Sequence, residues 1–296
     1  MTIQKTEPYI FEMAKEEIKP HISFETIDFH RLRVGVWKCP NPVGRPMLYF
    51  AGLGANIEMA MPWCGRMAHT RDIITFDVPG CGGSANPMVP YRPMWIARLG
   101  NRLLKRLGYD GKVDVFGVSW GGMIAQQYGL IFGSQVNKLI LSASSQGTFT
   151  FPGNAKAVTK LASNERFTDP DYLMRNYEIF YGQKSAALER DHGIRLMPPT
   201  TTGYYFQLLA GAGWTSLPWL NRLKMPTLVL AGNRDRLVPL INSRIVAKLI
   251  PNSRLEIIKN GGHLFIITRA NKVTRRVLDF LDNEPDDIRT AQKAER

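Results

Sequence analysis

The stretch Val113-Asp114-Val115-Phe116-Gly117-Val118-Ser119-Trp120-Gly121-Gly122 constrains this chain more than any other. A short apolar strand runs into Gly-x-Ser-x-Gly, and Met123-Ile124-Ala125-Gln126-Gln127-Tyr128 continues with helical character. A serine placed between a strand and a helix at this spacing occupies a strained turn that lifts its Oγ above the sheet. Glycines two residues to either side remove the Cβ atoms that would clash in that turn. The new helix aims its positive end at whatever reacts with the serine oxygen. Ser119 is therefore the candidate nucleophile, and a tight structural turn is the alternative reading.

The strand before Ser119 is one of a series. Residues 24–36 alternate through Ile27, Phe29, Leu32, Val34 and Val36, the pattern of an opening hairpin. Nearly continuous apolar runs follow at 47–50, 73–76, 113–116, 139–141, 227–230 and 255–258. Short apolar strands of this kind suit a parallel sheet covered on both faces, and several run straight into Gly-containing loops, as at the carboxyl ends of such strands. The rhythm stops between Leu141 and Leu228. That interval holds Phe149, Phe151, Phe167, Tyr172, Tyr177, Phe180, Tyr181, Tyr204, Tyr205, Phe206, Trp214 and Trp219, and it is broken by Pro152, Pro198 and Pro199. It reads as short helices forming a lid over the carboxyl edge of the sheet. The expected organisation is an N-terminal extension at 1–22, an α/β core of 23–145 and 225–284, a lid at 146–224 and a charged tail at 285–296.

A serine hydroxyl needs a base to take its proton. His263 follows the last expected strand in Asn260-Gly261-Gly262-His263-Leu264, a setting that His21, His30, His69 and His192 lack. The base in turn needs a carboxylate to fix its tautomer and stabilise its cation. Asp235 follows the penultimate strand and fits, although its neighbours Arg234 and Arg236 also allow a surface ion pair. A tetrahedral oxyanion needs two backbone donors. Those expected are the N–H of Trp120 and that of Leu53, in the loop Ala51-Gly52-Leu53-Gly54-Ala55. Asp77 follows the wrong strand for a catalytic acid, and bonding to backbone in its own turn is the expected role. Most of the aromatics between Leu141 and Leu228 would form that interval's own core, and a smaller set facing the cleft would make an apolar acyl pocket, for which Tyr204, Tyr205, Trp214 and Leu264 are the candidates.

Composition bounds the rest. The 296 residues are 44% hydrophobic with a mean hydropathy of −0.17, and no apolar run approaches the roughly 18 residues of a membrane span. The charged N-terminus has no clean apolar core and is not read as a secretory signal. Cys39, Cys64 and Cys81 cannot all pair and match no zinc spacing, so reduced thiols in a cytoplasmic protein are expected. The formal charge is +13, with Arg92, Arg98, Arg102, Lys105, Arg106 and Lys112 around one expected helix. No nucleic-acid module, phosphate loop, metal-ligand cluster or dinucleotide fingerprint accompanies them. A solvated basic face is the plain reading, with attraction to an anionic surface or coated particle and then nucleic-acid binding as the alternatives, and hydrolysis without a cofactor is expected.

The order Ser119, Asp235, His263 is that of the α/β-hydrolases. Beyond it, Gly52-Leu53-Gly54-Ala55-Asn56-Ile57-Glu58, residues 76–84, residues 117–127, Gly203-Tyr204-Tyr205-Phe206-Gln207-Leu208 through Gly213-Trp214-Thr215-Ser216, residues 226–239 and 262–270 resemble the intracellular depolymerases of medium-chain-length poly(3-hydroxyalkanoates). The likeness spans about 24–281, and the stretch around Tyr204 and Trp214 is its most particular part. It implies an α/β-hydrolase fold, with a mostly parallel sheet between helices and an inserted helical lid. It also implies a serine esterase acting in the cytoplasm on storage-polymer granules and releasing 3-hydroxyalkanoic acids or oligomers. Serine in place of the cysteine used by related polymer synthases points to water as the acyl acceptor. A soluble carboxylesterase or lipase-like hydrolase on small or lipid esters is the alternative. Residues 1–21 depart from the family as an added segment, whose Ile10, Phe11, Met13, Ala14 and Ile18 would suit docking.

Overall fold

The computed structural model describes residues 17–163 and 194–283 and, between them, 165, 169, 172 and 175–178. Phe167, Phe180, Tyr181, His192, most of the N-terminal extension and the charged tail lie outside the described residues.

Strands β1 (His21–Ile27) and β2 (His30–Trp37) form the expected hairpin, with Asp28 and Phe29 at positive φ in its turn. They are followed by β3 (Met47–Phe50), β4 (Ile73–Phe76), β5 (Val113–Val118), β6 (Val136–Ser142), β7 (Thr227–Gly232) and β8 (Ser253–Ile258). These pair in the order β1-β2-β4-β3-β5-β6-β7-β8, with β1–β2 and β2–β4 antiparallel and the rest parallel. Right-handed crossovers require the connections to lie on either face. They are α1 (Ile57–Met67), α2 (Pro93–Arg106), α3 (Trp120–Ile131), α6 (Leu240–Leu249) and, after β8, α7 (Phe265–Thr268) and α8 (Ala270–Asp282). Helices α4 (Ala155–Ala162) and α5 (Thr201–Gly211) fall between β6 and β7.

The pleat sorts the core into two halves, because successive side chains point to opposite faces. Along β3, Leu48 and Phe50 join Leu99, Leu103, Ile124 and Tyr128 beneath α2 and α3. Met47 and Tyr49 join Trp63, Met67, Val277 and Phe280 beneath α1 and α8. Burial on both faces is why the strands read as unbroken apolar runs instead of alternating ones. Ile18, at the end of the N-terminal extension, packs on the second half.

Strand order reverses at β3: the chain steps outward to β4 and then returns to β5 on the other side. Register pairs Phe50 with Gly117, so the loops after β3 and β5 emerge side by side at their carboxyl ends. Open α/β sheets place ligands at such a reversal, and Leu53 and Ser119 both leave the sheet there.

Candidate active site

Ser119 sits at φ 54° and ψ −117°, a left-handed conformation that few non-glycine residues tolerate. The glycines around it allow the turn to close: a Cβ at Gly117 would lie 2.4 Å from the Gly121 oxygen, and one at Gly121 would lie 2.2 Å from the Phe50 oxygen. The Ser119 N–H donates to the Ser142 oxygen at 2.8 Å, which ties the turn to β6. Trp120 opens α3 and carries one of the N–H groups that helix geometry leaves unbonded. A Cβ at Gly52 would stand 3.8 Å from Ser119 Cβ, so the β3 loop flanks the turn closely.

The loops after β7 and β8 are laced together. Arg234 N–H donates to the Gly261 oxygen at 2.9 Å, and Asn260 N–H donates to Asn233 Oδ1 at 2.6 Å. This brings His263 onto Asp235, with Nδ1 2.8 Å from Asp235 Oδ2 and Nε2 2.9 Å from Ser119 Oγ. Both side chains are nearly closed to solvent, at 8% for His263 and 1% for Asp235. Asp235 does not pair with Arg234 or Arg236; its Oδ1 accepts the N–H groups of Leu237 and Val238 at 2.8 and 2.9 Å. With its other oxygen fixed on Nδ1–H, the imidazole is left with Nε2 as an acceptor facing the serine hydroxyl. Such a line can take a proton from Ser119 and return it.

An apolar cavity opens beside Ser119 and His263. Tyr49, Met59, Trp63, Leu161, Leu237, Ile266 and Ile267 are among the residues that line it. Of the four residues expected there, Leu264 lines it. Tyr204 is buried and donates its hydroxyl hydrogen to the Leu161 oxygen at 2.5 Å. Tyr205 is about half exposed on the outer side of α5. The Trp214 Nε1–H donates to Gln127 Oε1 on α3 at 2.8 Å. The reason for the difference is period: Met59 and Trp63, four apart on α1, point one stripe of that helix at the cavity, and the insertion spends Tyr204 and Trp214 on its own anchoring. That spacing was present in the sequence directly after the Leu53 loop.

The insertion also holds the site from above. Asn56 Oδ1 accepts the Met197 N–H at 3.1 Å, and its Nδ2 donates to the Arg195 oxygen at 2.9 Å. Gln207 reaches from α5 to the Gly54 N–H at 2.8 Å. Asn56 and Gln207 both lie in stretches that carry the family resemblance, but the resemblance singles out neither residue for a role at the site. Tyr172 and Tyr177 make a small core with Ala157 and Leu237, whereas Phe149 and Phe151 are exposed.

Asp77 acts on backbone, as its position suggested. It accepts the Ile57 N–H at 2.8 Å and the Gly83 N–H at 2.9 Å, and Arg33 Nη1 lies 3.1 Å from Oδ2. Burial pushes its pKa up to about 6, against the lowering pull of these donors and of Arg33. Glu58 is also pushed up by burial, but hydrogen bonds from Arg33 and Asn56 outweigh that and leave it below its usual value. All three cysteines are buried and none is in a disulfide, and Cys81 Sγ accepts from Gln207 Nε2. On α2 the basic face is partly neutralised, Arg102 by Asp28 and Arg106 by Glu25. Among the described residues no cluster of three or more His, Cys, Asp or Glu side chains could hold a metal ion. No helix of the described residues is long and apolar enough to cross a membrane.

Comparison with known proteins agrees with this fold. Residues 45–190 and 197–270 match the family described as the alpha/beta hydrolase fold. A poly(3-hydroxyalkanoate) depolymerase from Ectopseudomonas oleovorans is 40% identical over 281 residues, which cover 94% of each chain. Among solved structures, an esterase from Exiguobacterium antarcticum superposes with a TM-score of 0.77 at 22% identity, over 88% of this chain and 99% of its own. A thermophilic esterase from Thermogutta terrifontis gives 0.74 at 20% identity, over 88% and 98%. At those identities the two structures attest to the fold. The chain belongs to the α/β-hydrolase family and, within it, to the poly(3-hydroxyalkanoate) depolymerases.

Proposed function

We propose that this protein hydrolyses the ester bonds of medium-chain-length poly(3-hydroxyalkanoate), with Ser119 as nucleophile, His263 as general base and acid, and Asp235 as the group that orients His263. The observation that carries the reading is the Asp235–His263–Ser119 line of 2.8 and 2.9 Å at the mouth of an apolar cavity. Ser119 Oγ attacks the ester carbonyl as its proton passes to His263 Nε2. The tetrahedral oxyanion is held by the N–H groups of Leu53 and Trp120. On collapse the ester C–O bond breaks, and the departing 3-hydroxyl oxygen takes the proton from His263. Water, deprotonated by His263, then attacks the acyl-serine; the acid leaves and Ser119 regains its proton. The alkyl side chain of the hydroxyacyl unit occupies the cavity between Tyr49, Met59, Trp63 and Ile267. Residues 146–224 serve as the lid over residues 23–145 and 225–284.

Docking on a granule in the cytoplasm is part of the proposal. It is supported by exposed apolar side chains on two segments, Met88 at 92% and Val89 at 68% on one, Tyr205 at 54% and Leu209 at 51% on the other. Thr200 and Asn86 hydrogen-bond across the two segments. Large apolar side chains left in solvent on neighbouring segments suit an interaction site. The test compares turnover of amorphous medium-chain polymer, short-chain polymer, and nitrophenyl esters of two to ten carbons. Release of acid from medium-chain polymer, abolished in Ser119→Ala, is expected. Brisk ester turnover with no release from either polymer would favour a soluble esterase, and full turnover by Ser119→Ala would overturn the site.

A further inference from the structure

Gln207 lies on the inward side of α5 and is 1% exposed. Its Oε1 accepts the Gly54 N–H at 2.8 Å, one residue beyond Leu53. Its backbone oxygen accepts the Trp120 Nε1–H at 3.1 Å, and its Nε2 donates to Cys81 Sγ. One buried residue therefore touches the β3 loop, the serine turn and the loop after β4. The helix that carries it is itself pinned. Thr200 N–H donates to the Gly80 oxygen at 2.9 Å, and a Cβ at Gly203 would stand 2.4 Å from that same oxygen. The close contact leaves α5 no room to approach the loop after β4, and the Thr200 hydrogen bond holds it against moving away.

We propose that Gln207 is the positioning residue of the oxyanion site, setting the separation of the Leu53 and Trp120 N–H groups from a helix of the insertion. Gly54 is at φ 67°, and without an acceptor for its N–H the glycine-rich loop can rotate its peptide planes with little steric cost. Oxyanion donors act only when they are already aimed at the developing charge, so a loop that wanders lowers turnover without loosening substrate binding. The inference rests on the assignment of Ser119, Leu53 and Trp120 given above.

The test is Gln207→Met, which keeps the bulk and removes the acceptor. Turnover of nitrophenyl octanoate, counted per active site from the burst of nitrophenol, is expected to fall by tenfold to a hundredfold, roughly the cost of misplacing a reacting group by about 1 Å. KM is expected to stay within about threefold. Affinity for octylboronic acid, which forms a tetrahedral adduct on the serine, is expected to fall by the same factor as kcat. If Gln207→Met does not fold, Gln207→Asn withdraws the acceptor by one methylene and is expected to behave alike. An unchanged kcat per site, or a loss confined to KM with boronate affinity intact, overturns the inference. Ser119→Ala, run alongside, separates the two assignments: if it keeps turnover, the site reading fails and not merely the role of Gln207.

Discussion

Asp235→Asn is the sharpest single probe of the proposed mechanism, because the structure decides which way the new amide must face. Asp235 Oδ1 accepts two backbone N–H groups, from Leu237 and Val238, while Oδ2 accepts from His263 Nδ1. In the variant, only the amide oxygen can satisfy the two backbone donors; an NH2 group there would face donors with donors at a side chain 1% exposed. The NH2 is therefore forced toward His263. It can donate only to an unprotonated Nδ1, which moves the imidazole proton to Nε2, where it faces Ser119 Oγ. A base already protonated on that nitrogen cannot take the serine proton. The same inversion in another serine hydrolase lowers kcat about 10⁴-fold, and four decades correspond to about 5.5 kcal/mol of barrier. The assay is turnover of nitrophenyl octanoate at neutral pH. KM is expected to move little and the melting temperature by only a few degrees, since both loop hydrogen bonds survive. An Asp235→Asn protein within tenfold of the parent would refute the orienting role.

Further expectations concern the cavity, the helix contact and pH. Met59→Trp fills the space beside Ile267, so excluding about four methylenes at about 0.8 kcal/mol each should lower the octanoate-to-acetate ratio of kcat/KM at least tenfold; an unchanged ratio would place the acyl chain elsewhere. Gly203→Ala puts a Cβ 2.4 Å from the Gly80 oxygen and is expected to cost about 2–4 kcal/mol in urea unfolding, with turnover falling as α5 lifts. Asp77, with its pKa raised to about 6, binds a proton in the folded state that it has lost in the unfolded state between pH 4 and 6. Its contribution to stability is thus largest below pH 4 and declines as pH rises through 6, by about 3 kcal/mol. Urea unfolding of the parent and Asp77→Asn at pH 4.5 and 7 should show the variant's deficit shrinking with pH; a constant deficit would count against the raised pKa.

Much of the frame was readable because each clue was local. The runs at 47–50 and 73–76 are the very extents of β3 and β4, since a strand buried on both faces must be apolar along its length. Ser119, Asp235 and His263 were each legible from one strand end and one loop. The pocket was not, because its walls come from β3, α1, α4, the loop holding Leu237 and α7, and no single segment advertises a cavity shared among them. Aromatic density misdirected the expectation toward Tyr204, Tyr205 and Trp214. A tyrosine hydroxyl or an indole N–H must find a partner when buried; Tyr204 found its partner in the backbone oxygen of Leu161 and Trp214 found its partner in Gln127, and neither ring lines the cavity.

By itself, then, the sequence determined the strand–turn–helix at Ser119, the series of apolar strands and the chemical types of the three side chains that meet at the candidate site. These follow from steric rules and burial patterns that act within ten or so residues. Only the tertiary structure decided the rest: the reversal of strand order that sets the Leu53 loop against Ser119, the lacing of two loops that puts His263 onto Asp235, and the reach of Gln207 from the insertion to Gly54. The physical reason is the same for all three. A hydrogen bond of 2.8 Å between residues 153 positions apart has no trace in composition or periodicity; it exists because a packed core leaves its two partners no other place to be.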